Sequence, residues 1–270
     1  FSNLANLKIR NVGPANMSGR ITAIDVVSTN TKVMYVGAAS GGVWKSENGG
    51  SAWTPVCDDQ ATQNIGALAI QQNDPNVIWV GTGEGNPRNS MNLGMGIFKS
   101  IDAGKTWKHM GLEATKTIHR IIIDPKDPNI IYVGAMGDPF SPNEHRGLYK
   151  TVDGGQHWEK ILYTNDRSGI ADLVMDPLNN NKLFAALYEH ERSPYYFTSG
   201  GEGSGLYMSD DGWWITTNTS FPLSANSFKR SMMFSESLDD SPDVGSSRIR
   251  NCGSCTMADA NLIFCRIPVE

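Results

Sequence analysis

The sequence predicts an all-β protein, a β-propeller of four-stranded blades closed by a recurring turn, with four blades recognisable and a larger propeller left open. Three observations carry that prediction: an eight-residue turn that recurs four times, a twenty-residue block ahead of each turn, and 28 glycines in 270 residues. The turns are anchored by Ser46, Asn48 and Trp53, by Ser100, Asp102 and Trp107, and by Thr151, Asp153 and Trp158. A damaged fourth copy keeps Ser209 and Asp211 but runs on as Gly212-Trp213-Trp214. Their first positions lie 54, 51 and 58 residues apart, the span of one four-stranded sheet with its loops. A fixed period of that size in a β-rich chain points to a propeller.

The residue types explain the turn. A Ser or Thr hydroxyl and an Asp or Asn side chain both cap nearby backbone N–H groups. Glycine supplies the positive φ of a tight turn. The Trp leads into the next strand and packs between neighbouring sheets, where its large ring is buried. These residues are therefore read as scaffold.

The blocks, residues 21–40, 65–84, 118–137 and 170–189, align without gaps. Each holds a short apolar run, a polar turn such as Asp74-Pro75-Asn76, and a second apolar run, which together make an antiparallel hairpin. Residues 42–46, 96–100, 147–151 and 205–209 supply a third strand, and the residues after each Trp a fourth. At 270 residues there is room for about five such blades, within the roughly four to eight that propellers use.

Composition excludes several functions. A net charge of −5 without a basic stripe argues against a nucleic-acid partner. No apolar run approaches the roughly 18–20 residues of a membrane helix, so the chain is not expected to span a membrane. No signal peptide is visible and the chain begins at Phe1, so export is left open by the residues themselves.

Residues 1–212 carry the repeat, and residues 213–270 do not. This Ser- and Asn-rich stretch has three readings: a divergent blade, a non-propeller tail, or a sequence error. It carries Cys252, Cys255 and Cys265 of the four cysteines. The spacing of Cys252 and Cys255 suits zinc, but the stretch has no His to complete a site, so no metal is expected. In an exported protein the cysteines could form a disulfide, leaving Cys57 as a buried or free thiol.

Propeller topology puts the loops from second to third strands, and those between blades, on the face opposite the eight-residue turns. The long polar loops 83–94, 136–147 and 188–205 fall there, with Asp58, Arg120 and Arg167 between blades. Polar loops on a rigid scaffold are where binding resides. The candidates on this face are Glu84, Asn86, Arg88, Arg120, Asp138, Glu144, Arg146, Glu189, Arg192 and Tyr195.

The eight-residue turns resemble the Asp boxes (BNR repeats) of sialidases, sortilin-like receptors and xyloglucanase-type glycosidases. Residues 10–16, 37–45 and 146–155 are similar to stretches of exported bacterial proteins described as sortilin-like or glycosyl-hydrolase-like. The likeness spans about Phe1 to Gly212. It implies a secreted or cell-surface location and a polypeptide or glycan ligand, with no cofactor. A sialidase site would need three convergent arginines; Arg266-Ile267-Pro268, the only echo of the sialidase signature, lies at the wrong end of the chain. Xyloglucanase-type enzymes place a catalytic carboxylate four residues after a strand Tyr and before Gly-Gly; here Tyr35 is followed by Ala39, which cannot exchange a proton.

The expected function is thus an extracytoplasmic binding or interaction module without catalysis. Two alternatives stand beside it. One is a glycoside hydrolase using Asp58, Glu84, Glu144 or Glu189. The other is a structural subunit contacting neighbours in a larger surface assembly.

Overall fold

The structure, a computed structural model, describes residues 20–87, 90–210 and 213–216. All lie in the first of two compact units, residues 1–217. The second unit, residues 218–270, lies outside the described residues, as do residues 1–19, Arg88 and Asp211. The expectations for the three C-terminal cysteines and for Arg88 therefore fall on undescribed positions.

Four antiparallel sheets follow one another along the chain. The first comprises β1 (Ile21–Val26), β2 (Met34–Ala38), β3 (Gly42–Ser46) and β4 (Thr54–Pro55). The second comprises β5 (Ile65–Ile70), β6 (Ile78–Thr82), β7 (Ile97–Ser100) and β8 (Lys108–His109). The third comprises β9 (Ile118–Ile123), β10 (Ile131–Ala135), β11 (Gly147–Thr151) and β12 (Glu159–Leu162). The fourth contains β13 (Ser168–Met175), β14 (Leu183–Arg192), β16 (Gly205–Asp210) and β17 (Trp213–Thr216), while β15 (Phe197–Ser199) pairs with the far end of β14. Each sheet is one propeller blade, and its first two strands are the hairpin of the repeated block.

First strands of successive blades pack side by side, β1 on β5, β5 on β9 and β9 on β13. This is why β5 is buried at all six positions: a strand covered on both faces needs a near-continuous apolar run. The core is correspondingly divided into three clusters, one at each junction between blades. Tyr35, Ile65 and Ile78 anchor the first, Trp79, Ile118 and Val133 the second, and Leu148, Ile170 and Leu183 the third. On β1 the flank turned away from β5 leaves Ile21 and Ile24 exposed. In the first three blades one glycine of the second strand permits the close approach. A Cβ at Gly37, Gly81 or Gly134 would sit 2.6, 2.3 or 2.6 Å from the Cγ2 of Ile65, Ile118 or Ile170 in the following blade.

The Asp boxes connect third to fourth strands, and their side chains close the turn as the sequence predicts. The Ser100 hydroxyl meets Asp102 Oδ1 at 2.8 Å and accepts the Gly104 N–H at 2.8 Å. Asp102 Oδ1 in turn accepts the Thr106 N–H at 2.8 Å. Hydrogen bonds from Thr106, side chain first, hold the Asp102 carboxyl down at about 2. Thr151 and Asp153 repeat the pattern, and His157 adds an N–H and its ring to Asp153. In the first box Asn48 substitutes for Asp, its Oδ1 accepting from Ala52 at 2.8 Å. Ser100 is buried. Ser100→Ala therefore orphans a buried N–H and is expected to cost about 1–2 kcal/mol in urea unfolding, with m unchanged if only the turn is affected.

The box Trp residues of the second and third blades lock each blade to the one before, whereas Trp53 of the first box is 37% exposed, contrary to the burial expected from the sequence. Trp107 Nε1 donates to Val56 O at 2.7 Å and Trp158 Nε1 to Met110 O at 2.8 Å. Trp158 also meets Trp79 edge-on, with ring centroids 6.3 Å apart.

Candidate functional site

The loops joining second to third strands gather on the face opposite the boxes, and hydrogen bonds between blades hold them. Loop 83–96 is drawn to the first blade by Arg20, whose Nε donates to Glu84 Oε1 at 2.6 Å and whose Nη2 pairs with Glu84 Oε2. Glu84 is wholly buried. Its hydrogen bond, and then its charge, raise the Arg20 pKa above the ordinary value. Asn92 donates to Ser40 Oγ at 2.7 Å, and Asn64 to Leu93 O at 2.8 Å. Asn86 is half-buried in the same loop.

Arg120 lies on β9 and bridges to β13, its Nε donating to Asp172 Oδ1 at 2.5 Å. Beside it, burial first and the Arg120 charge second push the His119 pKa down to about 4.

The third blade's loop is built around Arg146, which is wholly buried. Its guanidinium donates to Arg167 O at 2.9 Å and to Asp138 O at 2.6 Å. Burial pulls its pKa down to about 10. Asp138 Oδ1 accepts the Phe140 N–H at 2.9 Å, an Asx turn that projects the exposed Phe140. Glu144 is exposed at the surface of this loop.

In the fourth blade, β14 continues past its sheet and folds back as β15, forming a hairpin that stands on the loop face. Glu189 Oε2 accepts from Asn165 Nδ2 at 3.2 Å and Gly203 N at 3.0 Å, tying the hairpin base. The Arg192 N–H donates to Pro139 O at 2.7 Å. That bond joins the hairpin to the Phe140 loop of the neighbouring blade. Tyr195 and Tyr196 occupy the hairpin tip, 97% and 60% exposed. Inside the hairpin, the wholly buried His190 is stacked on Tyr188 at 5.4 Å, with Phe197 at 5.8 Å. Neither of its ring nitrogens has a hydrogen-bond partner. Burial first, then the Arg146 charge, lower its pKa to about 4.

The described candidates thus separate by role. Glu84, Arg120, Arg146 and Glu189 fasten loops to the scaffold. Asp138 and Glu144 lie on the third blade's loop and Arg192 and Tyr195 on the fourth blade's hairpin, and the Arg192–Pro139 hydrogen bond joins the two. Phe140 and His190 were not among the sequence candidates, although Phe140 stands in a loop that the sequence marked as part of the face. Among the described residues no cluster of His, Cys, Asp or Glu suited to a metal is found, and no helix is long and apolar enough to cross a membrane. Cys57 is a buried free thiol, its pKa pushed up to about 11 by burial.

Comparison with known proteins places this architecture. A family model described as Sortilin-Vps10 (sortilin, neurotensin receptor 3) matches residues 41–195. The xyloglucanase Xgh74A of Acetivibrio thermocellus is 25% identical over 207 residues, 64% of this chain and 24% of that protein. A probable oligoxyloglucan-reducing end-specific xyloglucanase of Neosartorya fischeri is 31% identical over 139 residues, 47% of this chain and 15% of that protein. The chain therefore spans a quarter or less of the length of these relatives. Among solved structures, an ancestral GH74 enzyme aligns with TM-score 0.54 and 20% identity over 77% of this chain and 26% of that one. The Niastella koreensis GH74 enzyme aligns with TM-score 0.54 and 20% identity over 73% of this chain and 30% of that one. At these identities the structural likeness establishes the propeller fold.

Proposed function

This chain belongs to the Sortilin-Vps10 family, and we propose that its blades, residues 1–212, form an extracytoplasmic module whose loop face binds a glycan without cleaving it. The observation that carries this reading is the set of exposed rings Phe140, Tyr195 and Tyr196 on two loops joined by the Arg192–Pro139 hydrogen bond. An aromatic face buries the apolar face of a sugar ring, and the flanking Asp138, Glu144 and Arg192 supply polar partners for its hydroxyls. The xyloglucanase relatives lend support, since their names assign them a glucan substrate.

The hydrolase alternative needs two carboxylates facing one substrate, roughly 6.5–9.5 Å apart for inversion. Two of its four candidates have structural partners instead: Glu84 both oxygens to Arg20, and Glu189 to Asn165 and Gly203. Ala39 stands where a xyloglucanase-type carboxylate would be.

Calorimetry with xyloglucan oligosaccharides tests the reading. The native chain should bind, and a Phe140→Ser/Tyr195→Ser/Tyr196→Ser variant should bind at least about tenfold more weakly. Because the three rings are exposed, Tm should hardly change. Equal binding by the variant would refute the aromatic ledge, and release of new reducing ends by the native chain would favour the hydrolase.

A further inference from the structure

The junctions between blades share one construction, and among the described residues the third shows no box indole bonded to the preceding blade, although Trp214 of β17 packs against the same core cluster. At the first junction Trp107 reaches Val56 O, and the second-strand ring of the preceding blade, Tyr35, donates to Ala103 O of the box at 3.3 Å. At the second junction Trp158 reaches Met110 O, and the second-strand ring is Trp79, against which Trp158 and Gly155 lie. A lysine on the third strand covers that ring each time: Lys45 over Tyr35 at 5.7 Å and Lys99 over Trp79 at 4.7 Å.

The third junction has the same receiving parts. Tyr132 stands at the position of Tyr35 and Trp79, with Lys150 5.4 Å above it. Ile161, three residues after Trp158, stands where Val56 and Met110 stand after their own Trp residues. The incoming part differs because the fourth turn is short. In the second and third blades Lys99 pairs with Lys108 and Lys150 with Glu159, so eight residues form each box. In the fourth, Asp210 pairs with Trp213 across two residues. Counted from Ser209, the Trp position falls on Thr216, which is already in β17 opposite Tyr207. A cavity of about 440 Å3 lies at this place, lined by Tyr132, Lys150, Glu159, Ile161, Leu183 and Trp214 among others. That is within the roughly 300–1,000 Å3 of small-molecule sites.

We propose that this cavity is a receptor for a tryptophan side chain of a polypeptide partner, the indole lying on Tyr132 and its N–H directed to the Ile161 carbonyl. The occupant is named by the repeat itself: an indole fills the equivalent place at both other junctions and donates to the equivalent carbonyl. This site is on the box side of the blades, separate from the loop face.

The probe is the peptide N-acetyl-Gly-Trp-Gly-amide, titrated calorimetrically into the full chain, with the Leu peptide as control. The Trp peptide should bind, and the Leu peptide should bind at least about tenfold more weakly, having no side-chain N–H for the carbonyl. Inserting Gly-Lys-Thr between Gly212 and Trp213 restores an eight-residue box ending in Trp. This variant should lose Trp-peptide binding by at least about tenfold and melt at a higher temperature. A second measurement avoids dependence on the folding of that variant: a peptide bearing a diazirine-tryptophan should photolabel the native chain between Tyr132 and Leu183. The proposal is overturned by no binding, by equal binding of the Leu peptide, by undiminished binding to a folded restored-box variant, or by labelling confined to other segments.

Discussion

Gly66→Ala is expected to destabilise the protein by on the order of 3 kcal/mol or more, enough to prevent recovery of folded chain at 37 °C. Gly66 lies on β5, where the second blade is pressed between its neighbours. A Cβ there would sit 2.1 Å from Gly83 O and 2.1 Å from Ile118 O. Both are backbone atoms, so no side-chain rotation relieves the overlap. Relief requires β5 to retreat from β9, which opens the Trp79 cluster, or the 83–96 loop to lift from the Arg20–Glu84 pair. Urea unfolding of any folded Gly66→Ala chain measures the cost directly. A midpoint equal to that of the native chain would mean that β5 has room to move away from Gly83 O and Ile118 O.

The neighbouring glycines show how much of this fold is legible in sequence. Gly37, Gly81 and Gly134 occupy one place in the repeated block, and each faces an isoleucine of the following blade. In the fourth block the same place holds Ala186, and no following blade exists among the described residues to crowd it. The hairpins, third strands and boxes were readable because turn chemistry and strand alternation act over a few residues and recur. The expected third strand at residues 42–46 is β3, and that at 147–151 is β11.

The candidate site was less legible because its interactions cross long intervals of chain. Nothing local distinguishes Glu84, buried under an arginine 64 residues away, from an exposed loop carboxylate such as Glu144. Arg146 likewise has the composition of a ligand-binding arginine but is satisfied by the carbonyls of Asp138 and Arg167. The pair Tyr195–Tyr196 was visible as two aromatic residues in a polar loop, whereas Phe140 lies on a different blade whose loop is tied to theirs by the Arg192–Pro139 hydrogen bond. The shortened fourth turn was visible as a broken motif. What it leaves behind, a receiving surface on the third blade, appears only when the three junctions are compared in space.

Acidification from pH 7 to pH 4 is expected to remove on the order of 2–3 kcal/mol of stability through His190, with most of the loss between pH 6.5 and pH 4. The ring is wholly buried, stacked on Tyr188, and without a hydrogen-bond partner. Charging it in the folded state is opposed by burial and by the Arg146 guanidinium, which lower its pKa from 6.5 to about 4. Above pH 6.5 both folded and unfolded chains hold the imidazole neutral, and this stability is fully present. As pH falls below 6.5 the unfolded chain takes up the proton first, so stability drops until the folded chain also protonates near pH 4. His119, lowered to about 4 by burial and Arg120, contributes in the same direction over the same window. His190→Phe keeps the stacked ring and gives up no hydrogen bond, so urea midpoints for this variant should fall less steeply between pH 6.5 and pH 4. At pH 5 the variant should be the more stable of the two proteins. An unchanged slope would mean that the hairpin opens readily enough to hydrate His190 and that its burial is transient. The aromatic ledge on the same hairpin would then be a mobile element instead of a preformed surface.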